Sequence, residues 1–456
     1  MRRITFSVWV VLVSLLAGLS FGDLFKDGDT VCFLGDSITN GGRYQGMIYD
    51  YYLTRFPGWT LHFVHAGRSG DSAGGSLSRL KEDVIDKRPT AVAIMFGMND
   101  VGRGNYVAEP NESQKASQRR SLEGYKVNME KLIGRIRAEA YEPKLFCITP
   151  SPFDQTMIND RNNNQPGCND GLGKCAEIVR GLAAKNNGVL VDYYGPMTAL
   201  NRERQKKDPT DTIIGPDRVH PGAAGHLMMA WLFLKAQGAP SLVSKVVVDA
   251  SAGRVGEAVN AEVSAVSKKA GGISFIVLEK ALPFPVDSAA EMMLKLLPIE
   301  RDLNQELLTV SGLASGYYAL KIDEAVVGQY TADDLAHGIN LAFNVATPQY
   351  RQAQKIAKKN DQRRLAECEW RGLLNTRRWM ISHYKIQVDD PAAVQAHYDR
   401  FTDKKAYSAV MALNYIKNWP RYDAIIKQAA EYERDVLQNR MPTPHAYEVL
   451  PVSKAQ

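Results

Sequence analysis

The chain predicts an α/β fold, a parallel sheet with helices on both faces, and three observations predict it. Apolar runs of strand length recur at 31–34, 61–64, 91–96, 145–149 and 189–191, separated by longer segments of helical character. The runs are continuously apolar rather than alternating, which suits strands buried on both faces. Short blocks rich in Gly, Asp, Ser and Asn follow three of the runs, where the chain leaves the sheet. In open α/β sheets ligands bind outside the carboxyl ends of the strands, so those blocks are expected to share one rim.

The remaining elements follow in order. The apolar segment 223–234 reads as a helix with Pro221 in its first turn. From 244 to 345, short Val-, Ile- and Tyr-rich runs at 245–248, 273–278, 307–310 and 317–322 predict a small β-rich module, with a helical stretch at 287–297. Thr347-Pro348 reads as a helix start, hydroxyl as N-cap and proline in the first turn, with Ala353, Ile356 and Ala357 following at helical spacing. Asp390-Pro391 opens another helix, Pro420 interrupts it, and 424–437 resumes it. At 456 residues the chain exceeds one ordinary core. The expected division is a targeting segment 1–22, an α/β domain 23–240, a β-rich module 241–346 and a helical C-terminal extension 347–456.

Arg2 and Arg3 precede an apolar stretch at 6–19, and Ser20-Phe21-Gly22 then suits cleavage before Asp23. These features predict export to a periplasmic or extracellular location, with an uncleaved anchor as the alternative. In an oxidising compartment Cys168 and Cys175, close together in a polar segment, are expected to pair. Cys32 and Cys147 fall in predicted strands and Cys368 in a predicted helix. The formal charge is only +6, and no basic run is interleaved with aromatics, which argues against a nucleic-acid partner. The Arg-rich stretch 363–378, with Trp370 within it and Trp379 just after it, reads as a solvated helix face anchored by aromatics; a contact surface for an anionic or sugar polymer is the other reading.

Four blocks carry the chemistry: Gly35-Asp36-Ser37, Gly67-Arg68-Ser69-Gly70-Asp71, Gly97-Met98-Asn99-Asp100 and Asp217-Arg218-Val219-His220-Pro221. A serine hydroxyl becomes a useful nucleophile when an imidazole takes its proton and a third group holds that imidazole in the right tautomer. Ser37, His220 and Asp217 fit those roles. Attack on an ester creates an oxyanion, for which the backbone N–H groups of Ser37 and Gly70 and the side-chain amide of Asn99 are candidate donors. Ser69 is the rival nucleophile, but its surroundings are not a Gly-x-Ser-x-Gly elbow. His226 follows His220 by six residues without the Glu of a His-Glu-x-x-His site, so it reads as a packed or capping residue. His62 and His65 lack a second ligand cluster, and no metal is expected.

With these blocks in this order, the chain resembles the SGNH, or GDSL, hydrolase superfamily of esterases and lipases over about residues 23–240. The resemblance implies a flavodoxin-like sheet, a catalytic set of Ser37, Asp217 and His220, an oxyanion hole of Ser37, Gly70 and Asn99, and no cofactor. Relatives often carry Asn near the start of the second block where this chain has His65, a departure that touches the hydrogen bonding behind Gly70. Exported members with extra domains resemble carbohydrate esterases, so removal of acetyl groups from a glycan is the leading expectation. A lipase or lysophospholipase, an aryl esterase and a thioesterase are alternatives, as is a non-catalytic glycan-binding protein, against which the full set of polar residues argues. Expected partners are an acylated glycan or other small ester, with no stable membrane insertion after signal cleavage. The loop 151–167 is a candidate for lining the cleft. The role of the C-terminal half and the oligomeric state stay open.

Overall fold

In the computed structural model, which describes residues 22–453, strands β1 (Thr30–Gly35), β2 (His62–Gly67), β3 (Ala91–Met95), β4 (Lys144–Ile148) and β5 (Val189–Val191) form one parallel sheet in the order β2-β1-β3-β4-β5. Successive side chains on a strand point to opposite faces. Val31 and Phe33 accordingly enter one core with Phe146 and the helices Arg43–Arg55 and Ala223–Ala236. Cys32 and Leu34 enter the other, with Val92, Ile94 and the helices Glu112–Glu139 and Cys168–Lys185. The expected sheet, with helices on both faces, is what forms. Each of the five apolar runs supplies a strand. β2 extends to Gly67 rather than stopping at 64, because His65 and Ala66 are buried strand residues although the apolar run ends before them.

The helix Ala223–Ala236 begins at Gly222, so Pro221 lies outside its first turn and instead forms an isolated bridge with Ile214. The stretch read as helical at 287–297 is a 3₁₀ helix, Ser288–Lys295. Its Ala290 and Met293 join Leu282 and Phe284 in the same core as Phe33.

Beyond residue 240 two further sheets form. One orders Ile339–Asn340, Gln305–Ser311, Leu242–Asp249 and Arg254–Val259 side by side; the other orders Ala325–Thr331, Tyr317–Ile322, His445–Val452, Gly272–Glu279 and Ala261–Lys269. The C-terminal segment is therefore not helical to its end. After four helices, Pro348–Tyr384, Pro391–Asp399, Tyr407–Asn418 and Tyr422–Asn439, the strand His445–Val452 returns to the middle of the second sheet. Its buried Tyr447 and Val449 alternate with more exposed neighbours, a period-two signal that eight residues after a helical region made easy to miss. Gln349 of the first helix donates to Glu279 at 3.0 Å and to the Tyr447 hydroxyl at 2.6 Å, tying helix and sheet together.

The helix Pro348–Tyr384 starts as expected, with the Thr347 hydroxyl accepting from the N–H of Tyr350 and Pro348 in the first turn. At 37 residues it spans about 55 Å. It packs on Tyr422–Asn439 along one side and on Arg43–Arg55 along another. The solvated-face expectation fails for three of its arginines. Arg363, Arg364 and Arg371 are less than a tenth exposed and turn toward the protein rather than toward water.

The Cys168–Cys175 disulfide is also overturned. Both thiols are buried, free and on one helix, Cys168–Lys185. Seven residues of helix separate their Cα atoms by about 10 Å, beyond the roughly 7 Å a disulfide can bridge. The targeting segment falls, apart from Gly22, outside the described residues. Among the described residues no helix is long and apolar enough to cross a membrane.

Candidate active site

β1 sits where the sheet order reverses, and the chain leaves it through Gly35. A Cβ at Gly35 would lie 2.3 Å from the Thr39 hydroxyl oxygen and 2.6 Å from the Met95 carbonyl oxygen, so only glycine lets the next turn fold back so tightly. Asp36 then caps that turn, Ser37–Asn40, by accepting from the N–H of Ile38 at 3.0 Å. Burial pushes the Asp36 carboxyl up to about 6. Ser37 is thereby held at the first position of the turn, where its own N–H has no intrahelical acceptor.

The second block leaves β2 beside it. The N–H of Arg68 donates to the Gly35 carbonyl at 3.0 Å, and Gly70 turns with φ +75°, a conformation that costs a side-chain-bearing residue about 1–2 kcal/mol. Behind Gly70, Arg79 gathers the strand ends. It is 7% exposed, pairs with Asp71 at 2.7 Å and donates to the carbonyls of Ala66 at 2.7 Å and Gly35 at 3.3 Å. The third block follows β3. Asp100 accepts from the N–H groups of Ala73 at 2.9 Å and Gly97 at 3.1 Å, and burial pushes it up to about 7. Next to it the Asn99 amide donates one hydrogen to the Asp71 carbonyl at 2.8 Å, which fixes the side chain and leaves its second N–H for a ligand.

The fourth block is a loop closed on itself. Gly215 donates to the His220 carbonyl at 2.7 Å, Arg218 donates to the Gly215 carbonyl at 2.8 Å, and Arg218 adopts φ +68°. Asp217 Oδ1 accepts from the N–H groups of Val219 and His220 at 3.0 Å each, while Oδ2 lies 2.5 Å from His220 Nδ1. Burial alone would raise the Asp217 carboxyl, but these hydrogen bonds outweigh it and hold the group below its usual range. His220 Nε2 reaches Ser37 Oγ at 2.8 Å across 183 residues of chain. The imidazole is thus oriented by a carboxylate on one nitrogen and placed to accept a hydroxyl proton on the other. His220 and Asp217 are each nearly half exposed, so the cleft is open to solvent.

All five residues singled out in the sequence, Ser37, Gly70, Asn99, Asp217 and His220, therefore lie at the rim formed by the carboxyl ends of β1, β2 and β3. Ser69 is turned toward Asn40, whose amide donates to its hydroxyl at 3.3 Å. His226 is buried against Tyr44, rings stacked at 6.2 Å, and burial lowers it to about 3. His62 is exposed, whereas His65 is buried three residues on, as the strand alternation requires. Among the described residues no group of three or more His, Cys, Asp or Glu is placed to hold a metal ion.

Two sets of supporting residues were not singled out from the sequence. Arg218 is buried and donates to the carbonyls of Asp154 at 2.8 Å and Met157 at 2.6 Å and to the side chains of Asn163 and Asn159, so the loop 151–167 anchors the His220 loop. On the other side, the helix Pro348–Tyr384 reaches the strand ends. Arg371 donates to the Gly67 carbonyl at 2.7 Å, Arg364 to the Gly41 carbonyl at 2.6 Å, and the Cys368 thiol to the Asn40 carbonyl at 3.3 Å. His65 is buried toward the same helix, 3.4 Å from Glu367 and without a hydrogen-bond partner on either ring nitrogen. Burial and the cations of Arg371, Arg363 and Arg364 hold it well below its usual range, so it is neutral. The bonding behind Gly70 that a departure at His65 called into question comes from Arg79, Asn99 and Arg371. A sequence signal existed in the Arg-rich stretch, but nothing local says which loop an arginine will meet 300 residues away.

The sequence profile of the GDSL-like lipase/acylhydrolase family matches residues 33–228. A solved structure of a gut microbial diltiazem-metabolizing enzyme is 30% identical with a TM-score of 0.84, covering 94% of this chain and 99% of its own. An acetylxylan esterase of Geobacillus stearothermophilus is 25% identical over 226 residues, 46% of this chain and 94% of its own. The first likeness runs through both halves of the chain; the second is confined to about half of it.

Proposed function

The chain belongs to the GDSL-like lipase/acylhydrolase family and is a carboxylic ester hydrolase; from that premise we propose that it is an exported serine esterase removing acetyl or other short acyl groups from a carbohydrate. The observation that carries the serine mechanism is the chain of contacts from Asp217 through His220 to Ser37, at 2.5 and 2.8 Å.

In this reading Ser37 Oγ attacks the ester carbonyl carbon as its proton passes to His220 Nε2. The carbonyl oxygen becomes an oxyanion facing the N–H groups of Ser37 and Gly70 and the free N–H of Asn99. Collapse breaks the bond to the alcohol, which leaves with the proton from His220, and the acyl group remains on Ser37. Water then attacks the acyl carbon, gives a proton to His220, and the carboxylic acid departs as that proton returns to Ser37 Oγ. Asp217, held ionised, stabilises the imidazolium formed in each half. Because His220 supplies the general base, activity is expected to survive chelation.

Two features support a carbohydrate as substrate: the relative named an acetylxylan esterase, and the exposure of His220 and Asp217, each nearly half open to solvent. Export rests on the leader-like residues before Asp23. A deep acyl channel would favour long chains by about 0.8 kcal/mol per buried methylene; in the short-acyl reading preference falls off after about two to four carbons. The test is acetate release from a panel of acetylated xylan, mucin-type glycans and peptidoglycan, beside aryl esters of rising chain length. Acetate from at least one glycan is expected; faster cleavage of long-chain esters or lysophospholipids with no acetate from any glycan would replace this reading with a lipase.

A further inference from the structure

A cavity of about 460 Å³ adjoins the oxyanion side of the site. Its floor is the segment Arg68 to Asp71, including Gly70, together with Asn40 from the turn that carries Ser37; its far wall comes from the C-terminal helices, through Gly372, Asn375 and Trp379 of one and Tyr407 and Met411 of another. We propose that this cavity is the subsite for the alcohol part of the ester, and that it holds a glycosyl unit stacked on Trp379. The inference rests on the short-acyl carbohydrate reading above and assigns the C-terminal half a share in substrate choice.

Three observations carry it. The first is size. The volume lies within the range of pockets that enclose a small-molecule ligand, far more than an acetyl group fills. In an acetyl ester the alcohol is the only large part, so a cavity sharing Gly70 with the reacting centre has the alcohol as its occupant.

The second is chemistry. Among the described residues the Arg68 guanidinium, the Asn375 amide and the Tyr407 and Ser408 hydroxyls line the cavity with no hydrogen-bond or ion-pair partner. A hydroxyl-rich ring can hydrogen-bond such groups where it displaces their water, whereas a methylene chain offers them no partner.

The third is rigidity. Trp379 is held by Tyr384 at 4.6 Å and His397 at 6.3 Å, both steeply angled to it, and by His383 parallel to it at 6.1 Å, so its ring has little rotamer entropy to lose on binding. Gly70, the residue that the cavity shares with the site, has open space where a Cβ would stand.

The experiment compares kcat/KM for ethyl acetate, whose alcohol is too small to fill the cavity, with that for an acetylated xylooligosaccharide, in the full chain and two variants. Trp379→Ala removes the platform. Gly372→Leu fills the cavity from a helix position where a Cβ meets nothing within 4 Å and where leucine is the better helix former, so it is not expected to unfold the wall. Both variants are expected to lower the ratio of saccharide to ethyl acetate activity at least about tenfold, mainly through KM, the scale of losing an aromatic anchor. An unchanged ratio in Gly372→Leu overturns the subsite while leaving the carbohydrate reading intact. A selective loss on octanoyl over acetyl esters makes the cavity an acyl pocket instead, and also overturns it. A native enzyme that cleaves ethyl acetate but no acetylated saccharide removes the underlying reading itself.

Discussion

The two sides of the site are held in opposite ways. The His220 side is a local device: an eight-residue loop closed on itself, anchored through Arg218 to a loop about 60 residues earlier, with its imidazole and carboxylate nearly half in water. The side of Gly70 and Asn99, the proposed oxyanion donors, is a long-range device. Its strand-end loops are gathered by buried Arg79 and then backed by Arg371, Arg364 and Cys368 from a helix more than 300 residues later. A base must exchange protons with water and substrate, so partial exposure suits it. Oxyanion donors stabilise charge best when they are fixed beforehand and need not reorganise, which favours buried supports.

The largest effect expected is at the atom where the two sides meet. Ser37→Ala should lower kcat by about 10⁴ or more with the fold intact, and a fluorophosphonate should label the native protein on Ser37 alone. Adduct mapped to Ser69, or full labelling of Ser37→Ala, would break the scheme.

Next comes the oxyanion side. Asn99→Ala should lower kcat by about 10² to 10³ with KM little moved, because its free N–H meets charge that exists only in the transition state. An unchanged kcat with a large rise in KM would make Asn99 a substrate-binding residue.

Arg371 and Arg218 sharpen the contrast. Arg371→Met removes a charge-assisted bond to Gly67 and should cost about 1.5–3 kcal/mol of stability. Well below the melting temperature it should still lower kcat by about tenfold, the effect of a slightly misplaced oxyanion loop. Arg218→Met should instead alter the pH profile of kcat/KM, since it frees the loop that holds His220. The same kinetic signature in both variants would mean that the two supports do one job.

The smallest effect concerns the contact of the helix Arg43–Arg55 with the long C-terminal helix. There Asp50 accepts from Asn360 at 2.8 Å, and burial pushes its carboxyl up to about 7. A raised carboxyl keeps its proton in the folded chain at a pH where the unfolded chain has lost it. Folding then takes up protons, and this group's contribution falls as pH climbs from the ordinary carboxylate range through about 7. Asp36 and Asp100 act with the same sign. Buried His65 and His226, held low, act with the opposite sign, so the readout is the difference between variant and native chain: Asp50→Asn should recover a few degrees of melting temperature at pH 8 relative to pH 5. An identical slope in the variant would show that Asp50 is not the group responsible.

Residues 23–240 were legible because their signals are local. A continuous apolar run such as 91–96 specifies a doubly buried strand, and Gly-Asp-Ser or Asp-x-x-His marks candidate chemistry within a few residues. Even there the boundary of β2 slipped, since His65 is polar by type and buried by context. The last strand was missed because eight alternating residues have no strand identity until Tyr317–Ile322 and Gly272–Glu279 stand on either side of them.

By itself, then, the sequence determined the sheet with its flanking helices and the start of the long helix at Thr347-Pro348, and it singled out Ser37, Gly70, Asn99, Asp217 and His220, which the fold brings to one rim. Only the tertiary structure decided that Cys168 and Cys175 stand two helical turns apart, that the arginines at 364 and 371 face the active-site loops rather than water, and that Trp379 lines a cavity beside Gly70. The reason is physical. Periodicity and turn chemistry act between near neighbours and leave a mark in the order of residues, whereas a buried guanidinium is satisfied by whichever carbonyl the packing of distant elements brings to it.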